Sequence, residues 1–273
     1  MILLLLAARA EAASDDVTWM LPEFPPVFIT EKALQGQGFG DGELRFLIGH
    51  LPQFHHQVVY GTAPRLWHEM EHRDGICTIS AAKRPDREKF AIFSARAAYG
   101  AINEVIVRTD KLSRFTPLLD KSGHIDLARL AADGQLLGGY SEGVTYGPAI
   151  DAFIKDPRRK TPLELTAHMR VPFSLLDRER LDFVFGYYME MAYYRRTHPS
   201  GSEFTALPTA PEAIRQDAYV ACSAGPRGRQ AIAAIDALLA SDEAMLDYVE
   251  NLRGWYSPAE FETAQKLAKS AGK

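Results

Sequence analysis

The segment Cys77–Ser94 reads CTISAAKRPDREKFAIFS and places a strongly basic turn between two short apolar runs. The runs Ile76–Ala81 and Phe90–Phe93 are typical of buried strands. Pro85 fixes its own φ and keeps the preceding residue extended, and an acid follows directly, as is common in the first turn of a helix. The pattern predicts a cationic side chain held at the end of a buried strand; a solvated basic turn is the alternative.

Length and composition limit the kind of protein this is. The chain has 273 residues, is 47% apolar and 24% charged, and carries a formal net charge of −4. This length allows one large core or two modest ones, and the composition is ordinary for a globular protein. The slightly acidic balance argues against nucleic acid or an anionic membrane as the main partner. No apolar run approaches the roughly 18 residues needed to cross a bilayer, so membrane insertion is not expected.

Residues 1–12 are similar to the end of a secretory signal peptide. Ile2–Ala8 is apolar, and Ala10-Glu11-Ala12 has the small residues of a cleavage site. We predict cleavage near Ala12 or Ala13 and a periplasmic or secreted protein without a lipid anchor, because no cysteine lies near that point. No basic residues precede the apolar run, so we expect the true start of the signal upstream of Met1. The alternative is an apolar N-terminal strand.

The two cysteines, Cys77 and Cys222, are too far apart in sequence for a CxxC redox or zinc pair. In an oxidising compartment, a single disulfide joining distant segments is one interpretation. Two buried free thiols are the other.

Strand-like and helix-like segments alternate along the chain, as in an α/β protein. Besides the two runs above, the predicted strands are Val17–Leu21, Gln57–Tyr60, Val105–Arg108, Leu136–Tyr140, Thr166–Val171, Asp182–Tyr187 and Tyr219–Cys222. The predicted helices are Asp41–Leu51, Ala63–Arg73, one entered through Ser141–Gly147 and reaching Ile154, Leu175–Leu181, and most of the chain after Cys222. Pro199–Pro211 is rich in Pro, Gly, Ser and Thr and is predicted to be a loop.

A glycine-rich turn, GGYSEGVTY, spans Gly138–Tyr146 and leads from a predicted strand into a predicted helix. Free backbone N–H groups at a helix start, with the hydroxyls of Ser141 and Thr145, are suited to a carboxylate or phosphate. No Gly-Lys-Ser/Thr follows, so this is not a Walker loop. Aromatic residues near other strand ends are suited to enclosing a ligand or to ordinary packing: Trp19, Phe24, Phe28, Tyr187, Tyr188, Tyr193 and Tyr194.

The sequence His68-Glu69-Met70-Glu71-His72 is a literal match to the H-E-x-x-H zinc motif. On a helix, His68 and His72 share one face and are able to bind zinc, with Glu69 as general base. The third histidine of the longer metzincin pattern would fall at Thr78. The motif therefore supports a zinc-dependent hydrolase as the alternative function, against a solvated helix face.

Taken in order, these pieces resemble the extracellular solute-binding proteins of family 3, the type II periplasmic binding proteins of ABC importers. The resemblance runs from about Val17 to Trp255. Its motifs are Lys83–Phe90 followed by Phe93-Ser94, which is similar to the family's Thr-Pro-Glu-Arg turn and Phe-Ser, then the strand Val105–Arg108 and the turn Gly139–Thr145. A poorly characterised branch is closer still, sharing Trp19–Phe28, Gly36-Gln37-Gly38, Leu51-Pro52-Gln53 and a cysteine at both positions.

The resemblance implies an α/β fold of two lobes, each a mixed, mainly parallel sheet flanked by helices, with two hinge crossings. It places lobe 1 at residues 14–108 and 215–273 and lobe 2 at 109–214, so that both cysteines lie in lobe 1 and form a disulfide. The implied function is closure around a small anionic, carboxylate-bearing and amino-acid-like ligand for ABC-type uptake or sensing. The implied protein is a monomer that needs no catalytic residue, metal or cofactor, and an ABC permease is its implied partner.

The family's ligand contacts fall on particular residues of this chain. Arg87 is the arginine that grips the ligand's carboxylate, and Val144 and Thr145 grip it from the other lobe. Amino-acid binders also place an aspartate on a late strand of lobe 2. Gly186 stands near that point here, which argues against a standard α-amino acid ligand, and Glu190, four residues on, is the candidate substitute. The complete predicted ligand-binding set is Glu23, Phe24, Arg65, Lys83, Arg87, Tyr140, Ser141, Val144, Thr145, Tyr146, Tyr187 and Glu190.

Overall fold

The computed structural model describes residues 16–97, 99–142, 144–166, 171–209 and 216–270. The predicted signal segment lies outside these residues. The strands are β1 (Asp16–Pro22), β2 (His55–Gly61), β3 (Ile76–Ala82), β4 (Ala91–Phe93), β5 (Tyr99–Ala101), β6 (Asn103–Arg108), β7 (Gly138–Ser141), β8 (Leu163–Thr166), β9 (Phe183–Tyr187), β10 (Phe204–Pro208) and β11 (Gln216–Ser223). The helices are α1 (Phe39–His50), α2 (Ala63–His72), α3 (Leu127–Ala132), α4 (Pro148–Lys155), α5 (Val171–Asp177), α6 (Tyr188–Thr197), α7 (Pro226–Leu239), α8 (Asp242–Glu250) and α9 (Pro258–Ser270), with 3-10 turns at Thr109–Arg114 and Thr116–Leu118.

The first sheet has the strand order β2-β1-β3-β11-β4, and β5 also pairs with β11. Strand β1 runs parallel to β2 and β3, whereas β11 is antiparallel to its neighbours. Alternation along β1 sends Trp19 and Leu21 into a core shared with α1, α7, α8 and α9, and Met20 into a smaller core under α2. Both faces are therefore covered by helices, as a sheet with parallel strands requires. We call this sheet with its helices the first lobe.

The second sheet has the order β10-β6-β9-β7-β8. Strand β6 lies between β10 and β9 and is buried on both faces: Val105 and Val107 pack into one core and Ile106 into another. This sheet with helices α3 to α6 forms the second lobe. Among the described residues, no helix is long and apolar enough to cross a membrane.

Three predicted segments differ from the structure. Of the strand predicted at Thr166–Val171, residues 167–170 lie outside the described residues; the observed strand β8 comes earlier, at Leu163–Thr166, and Val171 opens helix α5. That helix ends at Asp177, so the helix predicted at Leu175–Leu181 was placed too late. The predicted loop Pro199–Pro211 contains β10, because pairing with β6 gives Phe204–Pro208 hydrogen-bond partners that the local sequence does not indicate.

The chain crosses between the lobes earlier than predicted. Strand β5 pairs in the first sheet and ends at Ala101, and β6 pairs in the second sheet from Asn103 onward. The first crossing is therefore at Ile102 and not after Arg108, because β6 finds its partners in β9 and β10. Strand β10 belongs to the second sheet and β11 to the first, so the chain returns to the first lobe after Pro208; the predicted boundary at residue 214 lies outside the described residues.

A disulfide joins Cys77 and Cys222 inside the first sheet. The two residues face each other directly on the antiparallel strands β3 and β11, and neither is exposed to solvent. The predicted disulfide is thus confirmed. It ties the strand that precedes the basic turn to the strand that returns from the second lobe.

Candidate functional site

The basic turn after β3 holds Arg87 in a partly desolvated position. The turn is helical, since the N–H groups of Arg87 and Glu88 donate to the Arg84 carbonyl and those of Phe90 and Ala91 donate to the Arg87 carbonyl. Arg87 Nη1 donates to the Ala82 carbonyl at 2.9 Å, and its guanidinium lies 3.9 Å from the centre of the Trp67 ring. Burial, together with the neighbouring Arg84, lowers the pKa of Arg87 to about 10. A half-buried cation of this kind favours an incoming anion.

Arg84 is the residue of the turn that reaches the second lobe. Its Nη1 donates to Thr145 Oγ1 at 3.3 Å, and its Nε donates to Asp86 Oδ1 at 3.0 Å. The turn and the segment 144–147 therefore face each other across the lobes, and we call the space that they border the interlobe cleft. Sequence reasoning selected Arg87 and left out Arg84, although both lie in the same motif.

On the second lobe, the predicted helix start is displaced. Helix α4 begins at Pro148 after Gly147, whose φ of 92° lies in the left-handed region, so the helix does not start within 141–146. The Ser141 N–H donates to the Tyr146 hydroxyl at 2.8 Å, and the Tyr146 N–H donates to Asp151 Oδ1 at 2.9 Å. These two amides are used within the lobe and are not offered to a ligand.

The other predicted residues of this segment lie at the end of β7 and in the loop before α4. Ser141 and Tyr146 are buried, whereas Tyr140, Val144 and Thr145 are half-buried. Burial raises the pKa of the Tyr146 phenol above its ordinary value, and the nearby Glu190 carboxylate adds to this effect. The phenol is therefore held neutral, as a hydrogen-bonding group.

Glu190 lies in the first turn of α6, and its side chain folds back onto the end of β9. Its Oε2 accepts the Tyr187 N–H at 2.8 Å, and a Cβ built on Gly186 would lie 2.9 Å from the same oxygen. The carboxyl group thus lies beside the position where the sequence lacks the expected acid. Burial raises the pKa of Glu190 to about 7. Ionisation of this group near neutral pH is therefore sensitive to any cation placed next to it.

Asn103, at the first crossing, adds an unusual polar group to this region. The side chain is 3% exposed, and neither Nδ2 nor Oδ1 has a partner in hydrogen-bonding geometry. It pairs across the sheet with Tyr187, and its amide lies beside the Tyr187 phenol. Buried polar groups are normally paired, so this amide is available to a bound molecule or water.

The four remaining predicted residues, Glu23, Phe24, Arg65 and Lys83, belong to the first lobe. Phe24 is half-buried and forms an isolated bridge with Phe28, and the preceding Glu23 is exposed. Lys83 Nζ lies 3.4 Å from Glu88 Oε1. Arg65, at the start of α2, places its Nε 3.9 Å from Glu69 Oε1. Lys83 and Arg65 are exposed and already face acids, which makes them weaker anion ligands than Arg87.

Ser80, a polar residue on β3, was not among the site residues predicted from the sequence. The register between β3 and β11 shifts between Tyr219 and Ala221, so that Ile79 and Ser80 together oppose one residue. Ser80 has a φ of 54°, and its hydroxyl donates to the fully buried Glu43 at 3.4 Å. Burial raises the pKa of Glu43 well above its ordinary value. β-Bulges often redirect a side chain beside a binding site, and only the three-dimensional register reveals this one.

The H-E-x-x-H residues lie on the outer face of α2. His68 and His72 are exposed, and the Nδ1 of His72 lies 2.8 Å from the His68 carbonyl. The Glu69 carboxylate forms ion pairs with Arg73, from Oε2 to Nη1 at 2.8 Å, and with Arg65, from Oε1 to Nε at 3.9 Å. Within the part of the chain that the structure describes, no three His, Cys, Asp or Glu side chains are grouped as metal ligands. This geometry fits a solvated helix face and does not fit a zinc centre.

An open depression of about 450 Å³ lies elsewhere on the first lobe. It is lined by residues at the amino ends of the strands and at the start of α7: Asp16, Thr18, Gln57, Arg73, Asp74 and Arg227. The basic turn follows the opposite, carboxyl end of β3. The depression is therefore separate from the interlobe cleft.

Comparison with solved structures identifies the architecture. An ancestral amino acid-binding protein, described as a precursor of cyclohexadienyl dehydratase, matches with a TM-score of 0.64 and 14% identity over 89% of this chain and 96% of its own. The chain has the fold of a periplasmic solute-binding protein. A Salmonella typhimurium periplasmic binding protein with high arginine specificity matches at 0.60 and 17% identity, over 89% and 99% of the two chains.

A third similar structure binds an acidic amino acid. It is a receptor ligand-binding core from Nostoc punctiforme in complex with L-glutamate, with a TM-score of 0.60 and 14% identity over 89% of this chain and all of its own. No family model and no curated protein matches the sequence. Similarity at these identities establishes the fold, and the two-lobed α/β architecture expected from the sequence is confirmed. These three structures are described as binding proteins or a receptor core, and one of them as the precursor of an enzyme.

Proposed function

We propose that this protein is a secreted solute-binding protein that closes around a small, carboxylate-bearing and amino-acid-like ligand. The observation that carries the proposal is the cation pair of the basic turn. Arg87 is half-buried and forms no close ion pair among the described residues, since Asp86 acts on it only at longer range, and Arg84 spans the cleft to Thr145. A ligand carboxylate placed between them would relieve the desolvation of Arg87 and join the two lobes.

The second lobe supplies a complementary acidic end. Glu190 lies beside Gly186 with a pKa of about 7, and the Asn103 amide next to Tyr187 has unused hydrogen-bonding capacity. A ligand ammonium near Glu190 would lower the pKa of that carboxyl group and hold it ionised. Cations at one end and an acid at the other favour a zwitterion over a simple anion.

Export and uptake complete the proposal. The predicted signal segment and the Cys77–Cys222 disulfide both suit an oxidising compartment outside the cytoplasm. Two of the similar structures are described as an arginine-specific binding protein and a glutamate-bound receptor core. The role here is accordingly delivery of the ligand to an ABC permease, or sensing of it.

A thermal-shift screen of amino acids and small carboxylic acids tests the proposal. We expect at least one compound to raise the melting temperature of the wild-type protein, and this rise to disappear in Arg87→Ala. Arg158→Ala is a suitable control, because Arg158 is an exposed second-lobe arginine whose Nε donates to Asp156 at 3.0 Å. If Arg87→Ala responds to the compound as the wild type does, Arg87 is not the carboxylate ligand.

A further inference from the structure

Helix α6 has two apolar faces that pack against different lobes. Met189 and Tyr193 belong to the core of the first lobe, although the strands before and after the helix both belong to the second sheet. Met191 and Tyr194 belong to the core of the second lobe. Residues spaced three or four apart share a face of a helix, so these two pairs lie on separate stripes. The helix therefore bridges the lobes.

The stripe that faces the first lobe makes specific polar contacts there. The Tyr193 hydroxyl donates to Glu31 Oε2 at 3.0 Å, and Glu31 lies in the loop between β1 and α1. One turn later, Arg196 Nη2 donates to the Gly254 carbonyl, and its guanidinium lies 3.8 Å from the centre of the Trp255 ring. Gly254 and Trp255 lie between α8 and α9 of the first lobe. These contacts join the lobes through groups other than the predicted ligand-binding residues.

The neighbouring residues make equivalent contacts within the second lobe. The Tyr194 hydroxyl donates to Asp177 Oδ2 at 3.1 Å, and the Tyr194 ring stacks on Phe173 at 5.8 Å. Arg195 Nη2 lies 2.6 Å from Glu203 Oε2. Tyr193 and Arg196 thus each have an adjacent residue of the same type whose polar contacts stay within the second lobe.

We propose that Tyr193 and Arg196 form an interlobe latch, which adds closing free energy that does not depend on the ligand. The inference rests on the proposed function, because it assigns a regulation of the same cleft. Two-lobed proteins of this kind open about their hinge, and opening would separate Tyr193 from Glu31 and Arg196 from Trp255. A ligand that binds the closed state gains apparent affinity in proportion to the population of that state. Tyr193 and Arg196 therefore change the apparent affinity for the ligand although neither residue contacts it.

Distances between spin labels test the latch in protein without added ligand. Labels on cysteines introduced at the exposed positions Glu71 in α2 and Lys155 in α4 report the separation of the lobes. We expect a closed population in the wild type. Tyr193→Phe removes one hydroxyl and should shift the open-to-closed ratio about three- to tenfold toward the open state, as should Arg196→Ala. Tyr194→Phe and Arg195→Ala are the matched controls and should leave the ratio unchanged.

Two results would overturn the latch: no shift in either Tyr193→Phe or Arg196→Ala, or equal shifts in these variants and their controls. Titration with L-glutamate and with L-arginine then separates this proposal from the proposed function. If either amino acid binds, Tyr193→Phe should weaken its binding by the factor measured with the labels, and unchanged affinity would contradict the latch. If neither amino acid binds the wild type while the label distances shift as expected, these two ligands are excluded and the latch stands.

Discussion

Glu190 offers a prediction whose size follows from the structure. The raised pKa of about 7, against an ordinary value of 4.5, means that the folded protein disfavours the ionised carboxylate. At 1.36 kcal/mol per pKa unit, the free energy of unfolding falls by up to about 3 kcal/mol as the pH rises from 4.5 to 7, and this loss is fully present above pH 7. Because the side chain is half-buried and partly hydrated, we expect 1 to 3 kcal/mol, as an approximate range.

Replacement of Glu190 by Gln removes the ionisation and keeps an oxygen for the Tyr187 N–H. The Glu190→Gln variant should therefore match the wild type near pH 4.5 and exceed its unfolding free energy by about 1 to 3 kcal/mol at pH 8. Urea unfolding of both proteins at several pH values between 4.5 and 8 measures this difference. Glu71→Gln, on the exposed face of α2, is the control.

The shape of the pH dependence is the decisive feature. A difference between Glu190→Gln and wild type that stays constant from pH 4.5 to 8 would refute the claim that burial holds this carboxyl group near neutrality. A stabilised variant that has lost ligand binding would identify Glu190 as a group kept for function at the expense of stability.

Three further predictions concern the framework and the cleft. Replacing both Cys77 and Cys222 by Ala should lower the free energy of unfolding by up to about 5 kcal/mol, since the disulfide closes a loop across a sequence separation of 145 residues; urea unfolding that matches the wild type would contradict this. Gly138→Ala should destabilise the second lobe by about 1 to 3 kcal/mol, because its Cβ would lie 2.3 Å from the Phe183 ring; unchanged thermal unfolding would contradict this crowding. Arg84→Ala should weaken ligand binding about tenfold in calorimetry, with Arg158→Ala as control, and equal affinities would exclude Arg84 from the site.

The elements predicted well are those whose apolar pattern reflects their own burial. Strands β1 and β3 and helix α2 were placed within two residues of their observed bounds, because Trp19, Leu66 and Met70 are buried where the periodicity puts them. Strand β10 was missed, since its partner β6 lies far away in sequence. Helix α5 was shifted, although Pro172 at its second position is a start signal that the sequence does contain.

The candidate site shows the same division between local and long-range information. Glu190 was predicted beside Gly186 because one helical turn is enough to bring it back there. The contacts of Arg84, Ser80 and the latch residues were not predicted, because they depend on how β3 meets β11 and how the lobes face each other. Sequence motifs therefore located the basic turn, and the tertiary structure distinguished the contacts of its two arginines.

The central claim is that a ligand carboxylate binds the basic turn. Calorimetry that compares the strongest ligand from the screen with its carboxamide analogue tests this claim most directly. In the wild type we expect the carboxylate to bind about 10- to 100-fold more tightly than the carboxamide, and in Arg87→Ala we expect this preference to vanish. An undiminished preference in Arg87→Ala, or a wild-type protein that binds both forms equally, would contradict the account.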